Sequence, residues 1–316
     1  MADKKVELED LSGVGGKTAE RLREEGLTNL MELANMKAGE LSGKVDGIGE
    51  SAAEKIVNDA MKQADVGGFE TGTEKYEARK EMRKIKTNSE SVNELLDGGF
   101  ETQCITEIYG EFGAGKTQIA HNLAVNVQKS VEDGGMDKGA VYIDTEDTFI
   151  PERIEQIAES QDMDPEEVLE NIHVARAFNS DHQMLLAEEA KKICENQDIG
   201  LIVVDSLMAH FRSEYIGRGE LAKRQQKLNQ HMATLLQAAN THNVTVLVTN
   251  QVMDNPDQMF GDPTKAIGGN IVAHNCAVIL YLRKGKKDSR VARLEDSPYL
   301  PEGEAVYHIT DAGIED

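Results

Sequence analysis

Eight residues carry the clearest chemistry in this chain. Gly110, Glu111, Phe112, Gly113, Ala114, Gly115, Lys116 and Thr117 satisfy Gly-x-x-x-x-Gly-Lys-Thr at every fixed position, with Gln118 next in line. Glycines let consecutive N–H groups curl around phosphate oxygens, and a helix N-terminus behind them adds positive potential. Lys116 is placed to reach the β- and γ-phosphates, and the Thr117 hydroxyl to ligate Mg²⁺. An apolar run, ITEIY, precedes the loop and the helical TQIAHNLAVNV follows it. Strand, loop and helix in that order separate a phosphate loop from a chance glycine turn, so ATP with Mg²⁺ is the expected ligand pair.

Nucleotide hydrolysis needs further groups at other strand ends. Asp205 closes the run LIVVDS and suits a second position in the Mg²⁺ shell. Asp144, Glu146 and Asp147 follow the run AVYID, where a carboxylate can orient the attacking water. Spacing does not choose between Asp144 and Glu146. Gln251 ends another apolar run and could donate to a γ-phosphate, although an isolated Asn-Gln pair also reads as an ordinary turn.

The elements that must position these groups come from a change of texture near residue 86. From there, apolar runs of strand length alternate with helical stretches, which predicts a mainly parallel α/β sheet covered on both faces. Residues 1–62 read as short helices broken by glycine turns, with LSGVGG and GIGES opening two similar units. Residues 63–85 are polar, lack a core stripe and read as a linker. The chain is acidic, with 34 Lys+Arg against 57 Asp+Glu and a formal charge of −23, so any nucleic-acid site must be local. Three cysteines without a Cys-x-x-Cys pair point to a reducing compartment. With no signal-like apolar segment and no run long enough to span a membrane, the expected location is the cytoplasm.

Taken together, GEFGAGKTQ, YIDTEDTFIPERI, LIVVDS, TNQV and the tail RLEDSPYLPEGEAVYHITDAGIED resemble the archaeal RadA recombinases, relatives of bacterial RecA. LSGVGGKTAERL is similar to the helix-hairpin-helix domain of that family. The resemblance implies a RecA-like ATPase core that forms helical filaments on single-stranded DNA and exchanges strands with a homologous duplex. It favours Glu146 as the catalytic carboxylate, with Lys116 and Gln251 beside it. It also implies stacking of Arg153 on the base. From the next subunit, Asp296 would hold a monovalent cation such as K⁺ and Pro301 would pack on the adenine, while His274 would act as a switch.

Two loops of the family face DNA. The first corresponds to residues 211–227, where Arg212, Arg218, Lys223, Arg224 and Lys227 outweigh Glu214 and Glu220 for a net +3. From the residues alone this stretch also reads as a solvated amphipathic helix. The second corresponds to residues 254–274, with Lys265 against Asp254, Asp257 and Asp262, so Gly268, Gly269 and Asn270 must serve through backbone N–H and amide groups. Phe69 matches the phenylalanine that joins protomers, although Gly72 stands where the family has alanine. Recombination mediators are implied partners. A hexameric helicase-type motor and a scaffold with little turnover are the competing readings. The N-terminal domain could bind duplex DNA or protein.

The acidic excess generates a prediction. A charge of −23 per protomer must be screened before subunits stack, so assembly on single-stranded DNA should strengthen with rising KCl. Light scattering across a KCl series checks this. Assembly that is strongest at the lowest salt contradicts it.

Overall fold

The structure, a computed structural model, describes residues 7–64, 69–254 and 264–316. The chain divides into two compact units, Met1–Glu81 and Met82–Asp316. In the first, α1 (Gly16–Glu24), α2 (Leu30–Asn35), α3 (Ala38–Lys44) and α4 (Glu50–Gln63) turn their apolar stripes inward. Leu22, Leu33, Leu41 and Ile56 lie in their shared core. The stretch read as a linker contains a further helix, α5 (Gly72–Lys80). A capping box starts it: Glu74 N donates to Thr71 Oγ1 at 3.2 Å, and Thr71 N donates to the Glu74 carboxylate at 2.7 Å. No residue of α5 is buried, which accords with its lack of an apolar stripe.

The second unit opens with a short antiparallel pair, β1 (Lys84–Ile85) and β2 (Phe100–Glu101), around α6 (Glu90–Leu95). A nine-stranded sheet follows. Its strands β3 (Ile105–Gly110), β4 (Gly139–Asp144), β5 (Ile172–Arg176), β6 (Ile199–Asp205) and β7 (Thr245–Asn250) run parallel. Next come β8 (Val252–Asp254) and β9 (Thr264–Ala266), a separate antiparallel ladder. β10 (Val278–Lys284) returns to the sheet parallel to β3. β11 (Arg290–Asp296), β12 (Glu304–Thr310) and β13 (Gly313–Glu315) extend it antiparallel. The order across the sheet is β13-β12-β11-β10-β3-β7-β6-β4-β5.

Strand alternation assigns the two faces. Leu201 and Val203 of β6 join Ile108, Tyr142, Leu247 and Leu280 under α7 (Lys116–Asn126), α8 (Pro151–Glu159) and α9 (Pro165–Glu170). Ile202 and Val204 join Ile105, Ile143 and Val248 under α10 (Ser180–Asn196), α11 (Ala209–Glu214), α12 (Leu221–His242) and α13 (Asn270–Asn275). With both faces covered, the central strands read as continuous apolar runs. Among the described residues no helix is long and apolar enough to cross a membrane.

Three features depart from the sequence reading. β5 was not legible because Ile172 alone of its residues is buried and the strand is a sheet edge. β11 to β13, seen only as a tail, form a mixed-polarity antiparallel extension. The first expected loop is a correction: of residues 211–227, those up to 214 belong to α11 and those from 221 to α12, and a 3₁₀ turn at Arg218–Glu220 leaves only residues 215–217 outside a helix.

Leu280 is fully buried at the centre of the sheet. Leu280→Ala should lower the unfolding free energy by about 2–5 kcal/mol, because the cavity cannot collapse between two packed layers. Denaturant unfolding measures it.

Candidate active site

Ligand sites in open α/β sheets lie outside the C-terminal strand ends, and the motif residues gather there. Gly110 ends β3 so close to β10 that a Cβ would sit 2.3 Å from Leu282 O, which explains glycine at the first fixed position. The loop then curls to Gly115, the N-cap of α7. Lys116 Nζ donates to Gly110 O at 2.8 Å and to Glu111 O at 3.0 Å, which holds the ammonium at the loop mouth. Burial pushes its pKa down, while Asp205 and Glu146 pull it back up.

Asp205, nearly buried at the end of β6, collects hydroxyl donors from several elements. Thr117 Oγ1 donates to Oδ2 at 2.7 Å, Tyr142 OH to Oδ2 at 3.0 Å and Thr148 Oγ1 to Oδ2 at 3.4 Å, while Thr249 Oγ1 donates to Oδ1. The Thr117 hydroxyl and the Asp205 carboxylate are hard oxygen donors in contact beside the phosphate loop. That set fits Mg²⁺, which takes few protein ligands and completes its shell with phosphate and water.

The three acidic residues after β4 separate by environment. Asp144 accepts the backbone N–H groups of Glu146 at 3.0 Å, Thr148 at 2.8 Å and Phe149 at 2.9 Å, so it fastens the loop. Asp147 pairs with Arg176 at 2.9 Å in the open. Glu146 alone turns toward the phosphate loop, where Ser206 Oγ donates to Oε1 at 3.1 Å and Gln251 Nε2 at 2.6 Å. A cleft of about 510 Å³ brings together Gly110 to Gly113, Gly115 to Gln118, Glu146, Asp205 and Gln251. The Ala114 side chain is buried beneath it. A hollow of about 560 Å³ at the N-terminal ends of β4, β5 and β6 is lined by Asp137, Asp162, Asp164, Glu167 and Asp198, carboxylates that would repel a phosphate chain.

Arg153, Asp296, Pro301 and His274 do not line the cleft. Arg153 reaches from α8 to Gln118 Oε1 at 2.8 Å and to the carbonyls of Thr310 and Asp311. Asp296, Pro301 and His274 are exposed, as is Phe69 ahead of Gly72. Arg212 is exposed on α11 and Arg224 half-buried on α12, while Lys227 is engaged with Asp181. Gly268 and Gly269 precede Asn270 at the start of α13, and a Cβ on Gly268 would meet Val272 at 2.6 Å. Asp257 and Asp262 lie outside the described residues, as do the side chains of Arg218, Asp254 and Lys265.

Sequence reasoning missed His121, one helical turn beyond Thr117. It is buried against Tyr142 and Phe149, with ring centroids 5.7 and 5.5 Å away. Neither ring nitrogen has a hydrogen-bond partner among the described residues, and burial pushes the pKa to about 4. Histidine spacing on a helix carries no signal that could have found it.

Residues 78–316 match the Rad51 family, and residues 5–62 match the SAM-like helix-hairpin-helix tandem. The chain belongs to the Rad51 family. It is 52% identical over 319 residues to the DNA repair and recombination protein RadA of Methanoculleus marisnigri, a match that covers 98% of both chains. The phosphate loop, the strand ends and the cleft all lie within the part that matches Rad51.

The division of labour among the acidic residues is testable by stability. Asp144→Ala strips three backbone N–H groups of their acceptor and should cost about 1–3 kcal/mol. Asp147→Asn, which still tolerates the left-handed backbone at this position, breaks only an exposed pair and should cost less than about 1 kcal/mol. Urea unfolding of the two variants side by side decides it.

Proposed function

We infer that this chain is an ATP-dependent DNA recombinase of the archaeal RadA type, a DNA-dependent ATPase that pairs and exchanges homologous strands. Family membership supports the activity, and one arrangement supports the site. The Thr117–Asp205 contact and the Glu146 carboxylate held by Ser206 and Gln251 converge on one phosphate loop.

In this reading the backbone N–H groups of residues 110 to 117 cradle the phosphates, and Lys116 neutralises charge that grows on the γ-phosphoryl group. Thr117 would hold Mg²⁺ with Asp205 behind it, and the ion would supply charge neutralisation on the phosphate oxygens. Glu146 orients the attacking water and accepts its proton. Gln251, between Glu146 and the segment that leads to Gly268, reports the nucleotide state. Arg153 braces the base side of the cleft.

The exposed Asp296 and Pro301 serve a neighbouring protomer, with K⁺ near Asp296, His274 switches with the cation or phosphate state, and Phe69 with Gly72 joins the subunits. Arg212, Arg218 and Arg224 contact single-stranded DNA from one side, and Lys265, Gly268, Gly269 and Asn270 from the other. Homologous duplex DNA is the second substrate, and mediators act on the filament in the cytoplasm. Residues 1–62 form the helix-hairpin-helix domain, 63–85 the linker and 86–316 the ATPase core.

Joint-molecule formation between homologous single-stranded and duplex DNA should require ATP and homology. Lys116→Ala should lose product through weakened nucleotide binding. Glu146→Gln should retain ATP binding while hydrolysis falls by about 10²–10⁴-fold. Unwinding activity without joint molecules would point to a motor instead.

A further inference from the structure

β3 carries a carboxylate where its apolar run calls for a hydrophobic residue. Glu107 is 1% exposed and lies three residues before the phosphate loop. Its hydrogen-bond partner is Asn250, at the end of the adjacent strand β7, whose Nδ2 donates to Glu107 Oε1 at 2.7 Å. The same Nδ2 donates to Ile267 O, and Asn250 Oδ1 accepts from Gln251 N at 2.8 Å. Ile267 N in turn donates to Gln251 O at 3.1 Å. One buried amide thus fastens both ends of the segment that begins at Gln251 and returns at Ile267, next to Gly268. The Gln251 side chain meanwhile rests on Glu146 at 2.6 Å.

We propose that Glu107 is a positioning residue: through Asn250 it keeps Ile267 closed on Gln251 and the Gln251 side chain on Glu146, so that the nucleotide strand and the segment from Ile267 to Asn270 act as one. The proposal rests on the reading of Glu146 as the catalytic carboxylate and of residues 254–274 as a DNA loop. Glu107 Oε1 accepts from the Asn250 amide, and that contact sets which end of the amide faces β3. With the amide reversed, Oδ1 would face the Glu107 carboxylate and Ile267 O, and Gln251 N would lose its acceptor.

The surroundings make this couple sensitive to pH. Burial pushes the Glu107 pKa up to about 7, against the pull of the Asn250 hydrogen bond. Tyr109 flanks it on β3, and Cys276 and Tyr281 on the β10 side. Arg293 and Glu295 of β11 pair with each other beyond the tyrosines. α13 contributes Ala273, its His274 being exposed, and α12 turns apolar side chains to this face while its His231 meets Gln183. The raised value means that the closed arrangement holds the proton more tightly than an opened, hydrated one. Rising pH therefore favours opening from about 4.5 up to about 7, with no further change well above 7. Between pH 6 and 8 the opening equilibrium should grow about tenfold.

Hydrogen exchange at the Gln251 and Ile267 amides of the full chain, corrected for intrinsic exchange chemistry, reads this opening without DNA or nucleotide. Wild type should show the tenfold rise. Glu107→Gln is isosteric, cannot ionise and still accepts from Asn250, so its opening should be flat with pH. Glu107→Leu removes the acceptor and should raise opening by about tenfold or more at pH 6. In parallel assays, Glu107→Leu should lose DNA-stimulated hydrolysis while keeping the KM for ATP, and Glu107→Gln should restore it. Identical pH profiles for wild type and Glu107→Gln, or unchanged protection in Glu107→Leu, would overturn the proposal. Absence of DNA stimulation in wild type would count against the functional reading, while the exchange data would still decide the role of Glu107.

Discussion

Asp205 receives hydroxyl groups from α7, from β4, from the loop after β4 and from β7. A buried carboxylate is costly unless its lone pairs are satisfied, and hydrogen bonds to a charged group contribute about 1.5–3 kcal/mol each. These contacts satisfy its oxygens and lock neighbouring strand ends to the phosphate-loop helix at a common depth. Without that point of convergence, Lys116, Glu146 and Gln251 would sit on independently placed elements. Tyr142 shows the dual use of such a residue, since its ring packs in the core while its hydroxyl serves the site.

What could be read from the sequence follows from where chemistry restricts residue type. Phosphate binding dictates glycine, lysine and threonine at fixed spacing, so the loop at Gly110 to Thr117 announces itself, and burial on both faces made most of the central strands visible. Asp144 and Glu146 were indistinguishable because both follow the same strand. Their roles separate only when the backbone folds three N–H groups back onto Asp144. β5 and β11 to β13 were hidden because an edge or half-exposed strand mixes polar with apolar residues. The basic stretch around Arg218 looked like a loop because its family counterpart is described as one, whereas its charged residues largely sit on the ends of α11 and α12.

Buried polar residues mark where this core departs from simple packing. His121 has no hydrogen-bond partner among the described residues, and burial favours its neutral form, so it acts as a flat ring between Tyr142 and Phe149. Glu107 is different, because its carboxyl has a directional partner that itself holds two backbone groups. An apolar residue would pack as well at either position. Only at Glu107 does the polar atom specify the orientation of something else, and that distinguishes a positioning role from a tolerated one.

Gln251 stands where these networks meet. Its backbone belongs to the Asn250 couple and its side chain to Glu146. The side-chain amide has two N–H groups, one of them committed to the carboxylate. In the proposed mechanism a γ-phosphate would compete for that amide, and Glu146 would then be freed toward water at the moment a nucleotide is in place. The backbone of Gln251, held by Asn250, would pass the same rotation to Ile267 and the glycines beyond it. A single residue with two fastened ends is therefore sufficient to link hydrolysis to the segment proposed to meet DNA, provided that the fastening beneath it is rigid. That requirement gives a buried glutamate in the nucleotide strand a physical reason to be there.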